Sequence, residues 1–252
     1  MRELGLAGGA RYEVGGAGYV PEGAITPAGP DGAPDQDALR ELLEVAAACN
    51  EGSLAVTAGG WSWRGDPTDV ALLALAGKGG VDQETLLRGR PRIHAIPYEP
   101  GRRFAASFHR RDGGTWVAVK GAPERVLPMC ELSPGQARVA MSDAEAMAAA
   151  GRRVLAFACG QLPGEAPAGV APAEPSGLRF LGVAGLIDPL RPGAREAVHS
   201  CTSAGIRVIM VTGDHPVTAL AIGRDLGIAA TPADVVAGTE LALDRPRELA
   251  ET

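Results

Sequence analysis

An antiparallel sheet is predicted by the sequence FAASFHRRDGGTWVAVK, residues 104–120. Two segments rich in apolar residues, Phe104–His109 and Thr115–Lys120, flank the charged and glycine-containing segment Arg110–Gly114. A polar segment with glycine between two apolar runs is typical of the loop of a β-hairpin. We therefore expect two neighbouring strands here, joined by a short loop.

Helices and one further strand are predicted on both sides of this hairpin. Apolar residues recur at helical spacing in residues 37–50, which indicates an amphipathic helix. A second helix is expected over Asp66–Lys78, where an aspartate can cap the first turn and a proline suits the first helical position. Ser142–Ala150 is predicted as a helix and Arg153–Ala158 as a strand. This combination indicates a mixed α+β domain.

The pattern changes after Leu178. Two strand-like segments, Arg179–Ile187 and Ile206–Val211, alternate with two helical segments, Arg191–Ala204 and Pro216–Leu226. Strand–helix–strand units of this length form right-handed crossovers and a parallel sheet. The sequence therefore predicts a second, parallel α/β part at this end of the chain.

Charge and hydropathy limit the possible functions. The 252-residue chain carries 24 Lys and Arg against 30 Asp and Glu, a net charge of −6. This balance argues against general nucleic-acid binding, because phosphate neutralisation needs a basic surface. No apolar run approaches the roughly 18 residues that cross a bilayer. Residues 88–125 differ from the rest, since they hold nine Arg and Lys against three acids. A basic strip in an acidic protein predicts a small anionic ligand.

Three polar residues directly follow the predicted strand Ile206–Val211. Thr212, Gly213 and Asp214 stand at the carboxyl end of that strand, where ligands bind in open parallel sheets. The threonine hydroxyl and free backbone N–H groups suit phosphoryl oxygens. The alternative is an ordinary strand–helix turn with a capping group.

Lys120 is one of only two lysines in a chain with 22 arginines. A compact ammonium retained at a strand end indicates a need for a point charge, and Gly121 permits the close approach of a ligand. A solvated lysine at the end of a strand is the alternative interpretation.

Aromatic and charged residues near the hairpin suit a nucleotide. Tyr98 can stack on a base while Arg103 pairs with phosphate; alternatively, Tyr98 is a half-buried residue at a strand edge. Arg153 repeats the pattern beside a predicted strand, with a surface salt bridge as its alternative role. Asp69 can accept a hydrogen bond from a ligand amine, or can simply stabilise the start of its helix.

Five segments, taken in order, resemble the cytosolic part of the P-type ATPases, the ATP-driven cation pumps. They are GDPTD (65–69), IPYEPGRR (96–103), KGAPE (120–124), RRVLAFA (152–158), and DPLR (188–191) followed by GIRVIMVTGDHPVTALAIGRDLGI (205–228). Together they extend over nearly the whole chain. GDPTD and KGAPE are most similar to the calcium or sodium/potassium-like group of these pumps.

The resemblance implies an α/β protein with two domains. A mixed α+β nucleotide-binding domain with an antiparallel sheet, residues 12–178, is expected to be inserted in a phosphorylation domain. Residues 179–252 are expected to form part of that phosphorylation domain, which is Rossmann-like and haloacid-dehalogenase-like with a parallel sheet. Residues 1–11 are expected to be a remnant linker from the phosphorylation domain.

The resemblance also implies a role for each residue of a nucleotide site. Tyr98 stands where the family has an aromatic residue that stacks on adenine, and Asp69 stands where a glutamate contacts the adenine region. Lys120, followed by Gly121 of the same signature, lines the adenine pocket. Arg103 replaces a lysine near the phosphates, and Arg153 matches an arginine that reaches the phosphate chain.

The remaining implied roles concern phosphoryl transfer. Asp188 belongs to the hinge motif, in which DPLR replaces the more common DPPR, and Thr212, Gly213 and Asp214 match the loop that meets the transferred phosphoryl group. ATP and its accompanying Mg²⁺ are the implied cofactors. The implied partners are the remaining phosphorylation, actuator and transmembrane portions of a pump, at the cytoplasmic face of a membrane, and no nucleic acid.

Two motifs of the family do not occur in this sequence. They are DKTGT, whose aspartate is the nucleophile, and the GDGxND loop that holds Mg²⁺. No catalytic residue and no metal ligand is therefore assigned, and we expect a fragment that binds ATP without hydrolysing it. A stand-alone, non-catalytic nucleotide-binding module and a divergent haloacid-dehalogenase-type phosphatase are the alternative interpretations.

Overall fold

The computed structural model describes residues 2–16, 18–28, 34–111, 113–163, 174–187, 190, 193–212 and 216–236. The chain divides into two compact units. One unit comprises residues 1–144 and 154–186, and the other comprises residues 145–153 and 187–252.

Within the described ranges, ten strands form one large sheet and one small hairpin. They are β1 (Glu3–Leu6), β2 (Arg11–Val14), β3 (Ile25–Pro27), β4 (Ser53–Thr57), β5 (Gly60–Arg64), β6 (Arg92–Ile96), β7 (Phe104–Arg111), β8 (Gly114–Gly121), β9 (Arg153–Pro163) and β10 (Arg179–Leu186). The eight-stranded sheet has the order β3-β2-β1-β10-β9-β8-β7-β6, while β4 and β5 pair with each other. Every pair whose register is described is antiparallel.

The described residues also contain seven α-helices. They are α1 (Gln36–Ala48), α2 (Pro67–Lys78), α3 (Gln83–Gly89), α4 (Pro123–Val126), α5 (Pro134–Ala149), α6 (Ala194–Ser203) and α7 (Pro216–Leu226). Helix α1 begins after Asp35, whose side chain accepts a hydrogen bond from the Ala38 amide at 2.9 Å. Helix α2 begins after Asp66, which caps the Thr68 amide at 2.8 Å. Both caps satisfy amides that have no partner within the helix.

The core of the first unit lies between the large sheet and helices α1 and α2. Helix α1 packs against α2 and against strands β8 and β10. Leu42 of α1, Leu72 of α2 and Phe157 of β9 are fully buried in this core. Burial of one such side chain contributes about 1.5–3 kcal/mol to folding. The packing therefore fixes the start of α2 relative to the end of β8, where two of the candidate site residues lie.

Most local elements of the first unit agree with the sequence analysis. The predicted hairpin of residues 104–120 is confirmed as β7 and β8, and both helices upstream of it are confirmed. Helix α5 begins at Pro134, earlier than predicted, and β9 continues to Pro163. The described part of the first 35 residues also contains β1, β2 and β3, which are only three or four residues long.

The prediction of a strand at Ile206–Val211 is wrong. These residues have no regular secondary structure, and Ile206, Ile209 and Val211 are 56%, 72% and 93% exposed. An apolar run becomes a strand only where a neighbouring strand accepts its hydrogen bonds. Among the described residues of the second unit there is no strand from 187 onward to serve as that neighbour. Helix α7, which follows, has the predicted bounds.

Strand β10 differs from its predicted setting. The sequence analysis assigned it to a parallel sheet, whereas it pairs with β1 in antiparallel register from Glu3↔Gly185 to Leu6↔Gly182. It thus belongs to the eight-stranded sheet, as does part of the segment 1–11. The domain limits 1–11, 12–178 and 179–252 remain a prediction.

We expect backbone amides of residues 207–211 to exchange with deuterium much faster than those of β7 and β8. In this segment no ladder of backbone hydrogen bonds is described, whereas β7 and β8 pair along their whole length. Exchange rates report such local openings. Hydrogen–deuterium exchange of the full chain, followed by mass spectrometry, measures the difference. Equal protection of the two segments would contradict the described structure.

Candidate functional site

The centre of the candidate site is an ion pair between Lys120 and Asp69. The Lys120 ammonium donates a hydrogen bond to Asp69 Oδ1, although the two residues are 51 positions apart. Their side chains are only 8% and 15% exposed. Removing one partner of such a shielded pair leaves the charge of the other partner without compensation, which destabilises the fold.

Two residues after α1 hold Asp69 in place. The backbone N–H of Glu51 donates to Asp69 Oδ2 at 2.9 Å, and the side-chain amide of Asn50 donates to the Asp69 backbone carbonyl at 2.9 Å. The Asn50 amide also donates to Ala46 of α1 at 3.1 Å. The end of α1 therefore positions the start of α2. Sequence analysis missed Asn50, although a polar residue directly after an apolar helix was the available signal.

Gly121 lies tightly against the preceding strand. A Cβ atom at this position would be 2.6 Å from both the Arg103 carbonyl oxygen and the Phe104 Cβ. The amide of Ala122 donates to that carbonyl oxygen at 2.9 Å. The glycine thus keeps β7 and β8 close at the end of the sheet. The close approach inferred from the sequence is made by backbone of the protein itself.

Arg103 has a left-handed backbone conformation, with φ of 58°, unlike every other non-glycine residue in the described part of the chain. Such conformations cost free energy and occur preferentially at functional sites. The guanidinium of Arg103 donates to Glu124 at 2.7 Å, and its side chain is 51% exposed. Because the side chain is about half exposed, the other N–H groups of its guanidinium are available to solvent or a ligand.

Tyr98 lies in the loop between β6 and β7. Strand register places this loop at the end of the sheet where β8 finishes, because Ile96 pairs with Ala106 and Phe104 with Gly121. Tyr98 is 57% exposed. The structure therefore brings Tyr98, Arg103 and Gly121 to one end of the sheet, with the Lys120–Asp69 pair beside them.

Further cations surround the same sheet end. Phe104 is buried, and the guanidiniums of Arg102 and Arg125 each lie 5.9 Å from the centre of its ring. Arg125 also donates to the Arg102 carbonyl at 3.2 Å and to Glu174 at 2.9 Å. These residues were missed as a cluster, although the excess of positive charge in residues 88–125 was the available signal.

The other predicted site residues belong to the second unit. Arg153 is exposed at the start of β9, and Thr212 is exposed. Asp188, Gly213 and Asp214 lie outside the described residues. Their roles stay predictions.

A second missed group lies under Lys120. Ser107 and His109 of β7 and Cys49 after α1 are all at most 2% exposed. His109 Nε2 and Ser107 Oγ are 2.8 Å apart, and His109 Nδ1 is 3.0 Å from the Arg90 carbonyl oxygen. The sequence did contain a signal for this group: Ser107 and His109 occupy alternate, inward-facing positions of β7, where apolar residues are expected.

Burial sets the protonation of this group. It raises the pKa of the Cys49 thiol, and it lowers the pKa of His109, with the positive charges of Arg92 and Arg90 as smaller causes. Burial also raises the pKa of Cys130 to about 11 and that of Cys159 to about 12. The histidine is therefore neutral and the buried thiols are protonated near neutral pH.

We expect His109 to make folding sensitive to acid. Its folded-state pKa is lowered, so the unfolded chain binds the proton first as pH falls through the ordinary histidine value of 6.5. The free energy of unfolding should decrease between about pH 7 and about pH 5, by at most ~1.4 kcal/mol per pH unit from this residue. Denaturant titrations of wild type and His109→Phe measure this difference. The exposed His199, changed to Gln, is the control that should keep the wild-type slope.

The described residues offer little for metal binding or membrane insertion. In these ranges no group of three or more His, Cys, Asp or Glu residues could hold a metal ion. The helices that the structure describes include none with the length and apolarity to span a bilayer. All four cysteines are free.

Comparison with known proteins defines the class. The family model for the P-type ATPase cytoplasmic domain N matches residues 38–193, more than half of the chain. The chain therefore belongs to the P-type cation-transporting ATPases, a family of ATP-hydrolysing enzymes. The antiparallel sheet and the Lys120–Asp69 pair both lie largely or wholly within the matched region.

Individual relatives cover most of this chain but a minor part of their own length. A cation-transporting ATPase of Synechocystis is 41% identical over 264 aligned residues, covering 97% of this chain and 29% of that protein. Calcium-transporting ATPase 1 of Bacillus cereus is 33% identical, covering 82% and 24%. The sodium/potassium-transporting ATPase subunit alpha-A of Artemia franciscana is 35% identical, covering 65% and 18%. The chain thus spans less than a third of the length of these relatives.

Proposed function

We propose that this chain binds ATP at the sheet end formed by Asp69, Tyr98, Arg103, Lys120 and Gly121, as the nucleotide-binding part of a cation pump. The observation that carries the proposal is the shielded Lys120–Asp69 pair beside an exposed tyrosine. A paired ammonium and carboxylate offer both a donor and an acceptor to the polar edge of a purine.

The adenine end is assigned to three side chains. The exposed ring of Tyr98 provides a flat surface on which the base can stack, and base–aromatic stacking contributes about 1–3 kcal/mol. Asp69 can accept from the exocyclic amine of adenine, and Lys120 can donate to a ring nitrogen. Both are already oriented by their mutual hydrogen bond, so little conformational entropy is lost on binding.

The phosphate end is assigned to arginines. Arg103 uses one N–H for Glu124 and retains others that can meet phosphate oxygens in a charge-assisted geometry. Arg153 is proposed as a further ligand of the phosphate chain on the family resemblance alone. Mg²⁺ would come with the phosphates of the nucleotide, which supply the oxygen ligands this ion prefers.

Residues 179–252 are proposed to be part of a Rossmann-like, haloacid-dehalogenase-like phosphorylation domain. Thr212, Gly213 and Asp214 are proposed to meet the transferred phosphoryl group, and Asp188 to form part of the hinge. In the whole pump, ATP hydrolysis through an aspartyl-phosphate would drive cation transport, with the actuator and transmembrane portions as partners at the cytoplasmic face of a membrane. The present chain, which contains no DKTGT, would bind ATP without hydrolysing it.

Calorimetric titration with ATP, ADP and adenosine tests the binding site. Tyr98→Ala should weaken ATP binding by about 1–3 kcal/mol, whereas the matched variant Tyr98→Phe should bind like wild type, because it keeps the ring. ADP and adenosine should bind progressively less tightly as phosphates are removed. An absence of ATP binding, or equal binding by Tyr98→Ala and wild type, would refute the assignment.

Incubation with γ-labelled ATP tests the second part of the proposal. We expect neither labelled protein nor released phosphate above the uncatalysed rate, since no nucleophilic aspartate is assigned. A stable acyl-phosphate on this chain would contradict the proposal.

A further inference from the structure

Arg125 lies beside the proposed nucleotide site without being assigned a contact with the nucleotide. It belongs to helix α4, which begins after Ala122 at the end of β8, and its side chain is 37% exposed. The side chain reaches the loop between β6 and β7, where its Nε donates to the Arg102 carbonyl oxygen at 3.2 Å. Arg125 therefore links the segment after β8 to the loop that carries Tyr98 and Arg103.

The Arg125 contact acts on a single peptide group. The carbonyl of Arg102 and the N–H of Arg103 belong to the same planar unit. Arg125 holds the oxygen of this unit, and the N–H of the unit donates to the Glu99 carbonyl oxygen at 2.8 Å. Because both polar ends are bonded, the peptide plane cannot rotate without breaking a hydrogen bond.

The orientation of this peptide group sets the backbone conformation of Arg103. The angle φ is the rotation about the bond that directly follows the peptide group, and at Arg103 it is 58°. A residue with a side chain keeps such a value only where surrounding contacts hold it. On the other side of Arg103, its own carbonyl oxygen accepts from the Ala122 amide at 2.9 Å. Two successive carbonyl groups are thus held by residues 122–125.

The far end of the Arg125 side chain is held as well. Nη2 donates to Glu174 at 2.9 Å, and the guanidinium lies 5.9 Å from the centre of the Phe104 ring. A planar guanidinium with several fixed contacts loses little further freedom when Nε forms its hydrogen bond. The structure therefore presents Nε to the Arg102 carbonyl in a prepared orientation.

We propose that Arg125 is a positioning residue for Arg103: it fixes the peptide group between Arg102 and Arg103 and so directs the Arg103 guanidinium toward the phosphates. The inference rests on the proposed function, because Arg103 is assigned to phosphate there. Without the Arg125 contact the peptide group can rotate, and Arg103 can relax to a negative φ that carries its side chain elsewhere. Loss of this contact weakens ATP binding although no atom assigned to the nucleotide is removed.

The decisive experiment compares two neutral substitutions of Arg125 that differ in one donor. In Arg125→Gln the side-chain amide nitrogen stands as many bonds from the backbone as Nε does in arginine, so it can still donate to the Arg102 carbonyl. Arg125→Met has a similar length and no donor. In calorimetric titrations of the folded proteins, Arg125→Met should bind ATP about two- to tenfold more weakly than Arg125→Gln, the range of one hydrogen bond.

Adenosine is the ligand control, because it has no phosphate for Arg103 to meet. Both variants should bind adenosine equally well. Equal ATP affinity of Arg125→Met and Arg125→Gln would overturn the proposal, since the donor at Nε would then be unimportant. A loss of adenosine binding in Arg125→Met as large as the loss of ATP binding would also overturn it, because the effect would not pass through Arg103.

Amide exchange followed by NMR supplies a readout that is independent of ATP. The Arg103 amide should exchange faster in Arg125→Met than in wild type or Arg125→Gln, while the amides of β7 and β8 keep their wild-type rates. An unchanged Arg103 rate, or an equal acceleration throughout β7 and β8, would overturn the proposal. If wild type binds no ATP, the proposed function fails, while the exchange comparison still decides whether Arg125 fixes this peptide group.

Discussion

Lys120→Met is expected to weaken ATP binding about tenfold to a hundredfold, because a hydrogen bond from a charged donor contributes about 1.5–3 kcal/mol. Methionine keeps the length and most of the volume of the side chain, so the change isolates the ammonium. The chain offers a matched control in its second lysine. Lys78 donates to the Gly15 carbonyl at 2.6 Å, away from the proposed site, and Lys78→Met should bind ATP like wild type.

The same substitution is expected to destabilise the fold, and a double variant separates the two effects. Lys120→Met leaves the Asp69 carboxylate shielded and without its cation, which costs about 3–5 kcal/mol when a buried pair is broken. Changing Asp69 to Asn in addition removes the unpaired charge. We expect the double variant to recover much of the stability, as measured by denaturant unfolding, but not the affinity for ATP.

Three outcomes would contradict this account of Lys120. The first is wild-type affinity in Lys120→Met, and the second is an equal loss of affinity in Lys78→Met. The third is recovery of both stability and binding in the double variant, which would show that the ammonium serves only to compensate Asp69. Calorimetry and unfolding curves on the same preparations distinguish them.

Gly182→Ala is expected to be the most destabilising of the glycine substitutions in the sheet. Gly182 of β10 has a φ of 151°, which residues with a side chain rarely adopt, and a Cβ there would overlap the Gly5 carbonyl oxygen of β1. Backbone cannot move aside as a side chain can. We expect a loss of about 3 kcal/mol or more in the free energy of unfolding, measured by urea titration.

Gly160→Ala is the matched control for this prediction. Its Cβ would lie 2.7 Å from Leu178 Cδ2, which is the end of a flexible side chain and can turn away. The loss of stability should therefore be well below that of Gly182→Ala. Similar losses in the two variants would indicate that the contact of β10 with β1 does not control the stability of the sheet.

Local sequence patterns were sufficient for several elements. The hairpin of β7 and β8 follows from two apolar runs around a glycine-containing loop, and α2 follows from a capping aspartate with proline behind it. The bounds of α7 were also predicted. These features depend on residues within one turn of helix or one strand pair, so neighbours in the sequence are enough to determine them.

The order of short motifs was sufficient for the family. GDPTD, IPYEPGRR and KGAPE indicated a P-type ATPase, and the family match to residues 38–193 bears this out. The motifs identify the family without fixing which side chains meet. For that reason Asn50, Ser107 and His109, which lie outside every motif, were not recognised as neighbours of the candidate site.

Only the tertiary structure decided which strands are neighbours and which charges pair. Side chains that alternate with a period of two along a strand reveal its two faces but do not reveal which strand lies beside it. For this reason β10 was expected in a parallel sheet, whereas it pairs with β1 in antiparallel register. Likewise, Ile206–Val211 has the composition of a strand but no described neighbour to bond with. The Lys120–Asp69 pair joins positions 51 apart, and packing of α1 against the sheet brings them together. Such contacts depend on long-range burial, which no local pattern contains.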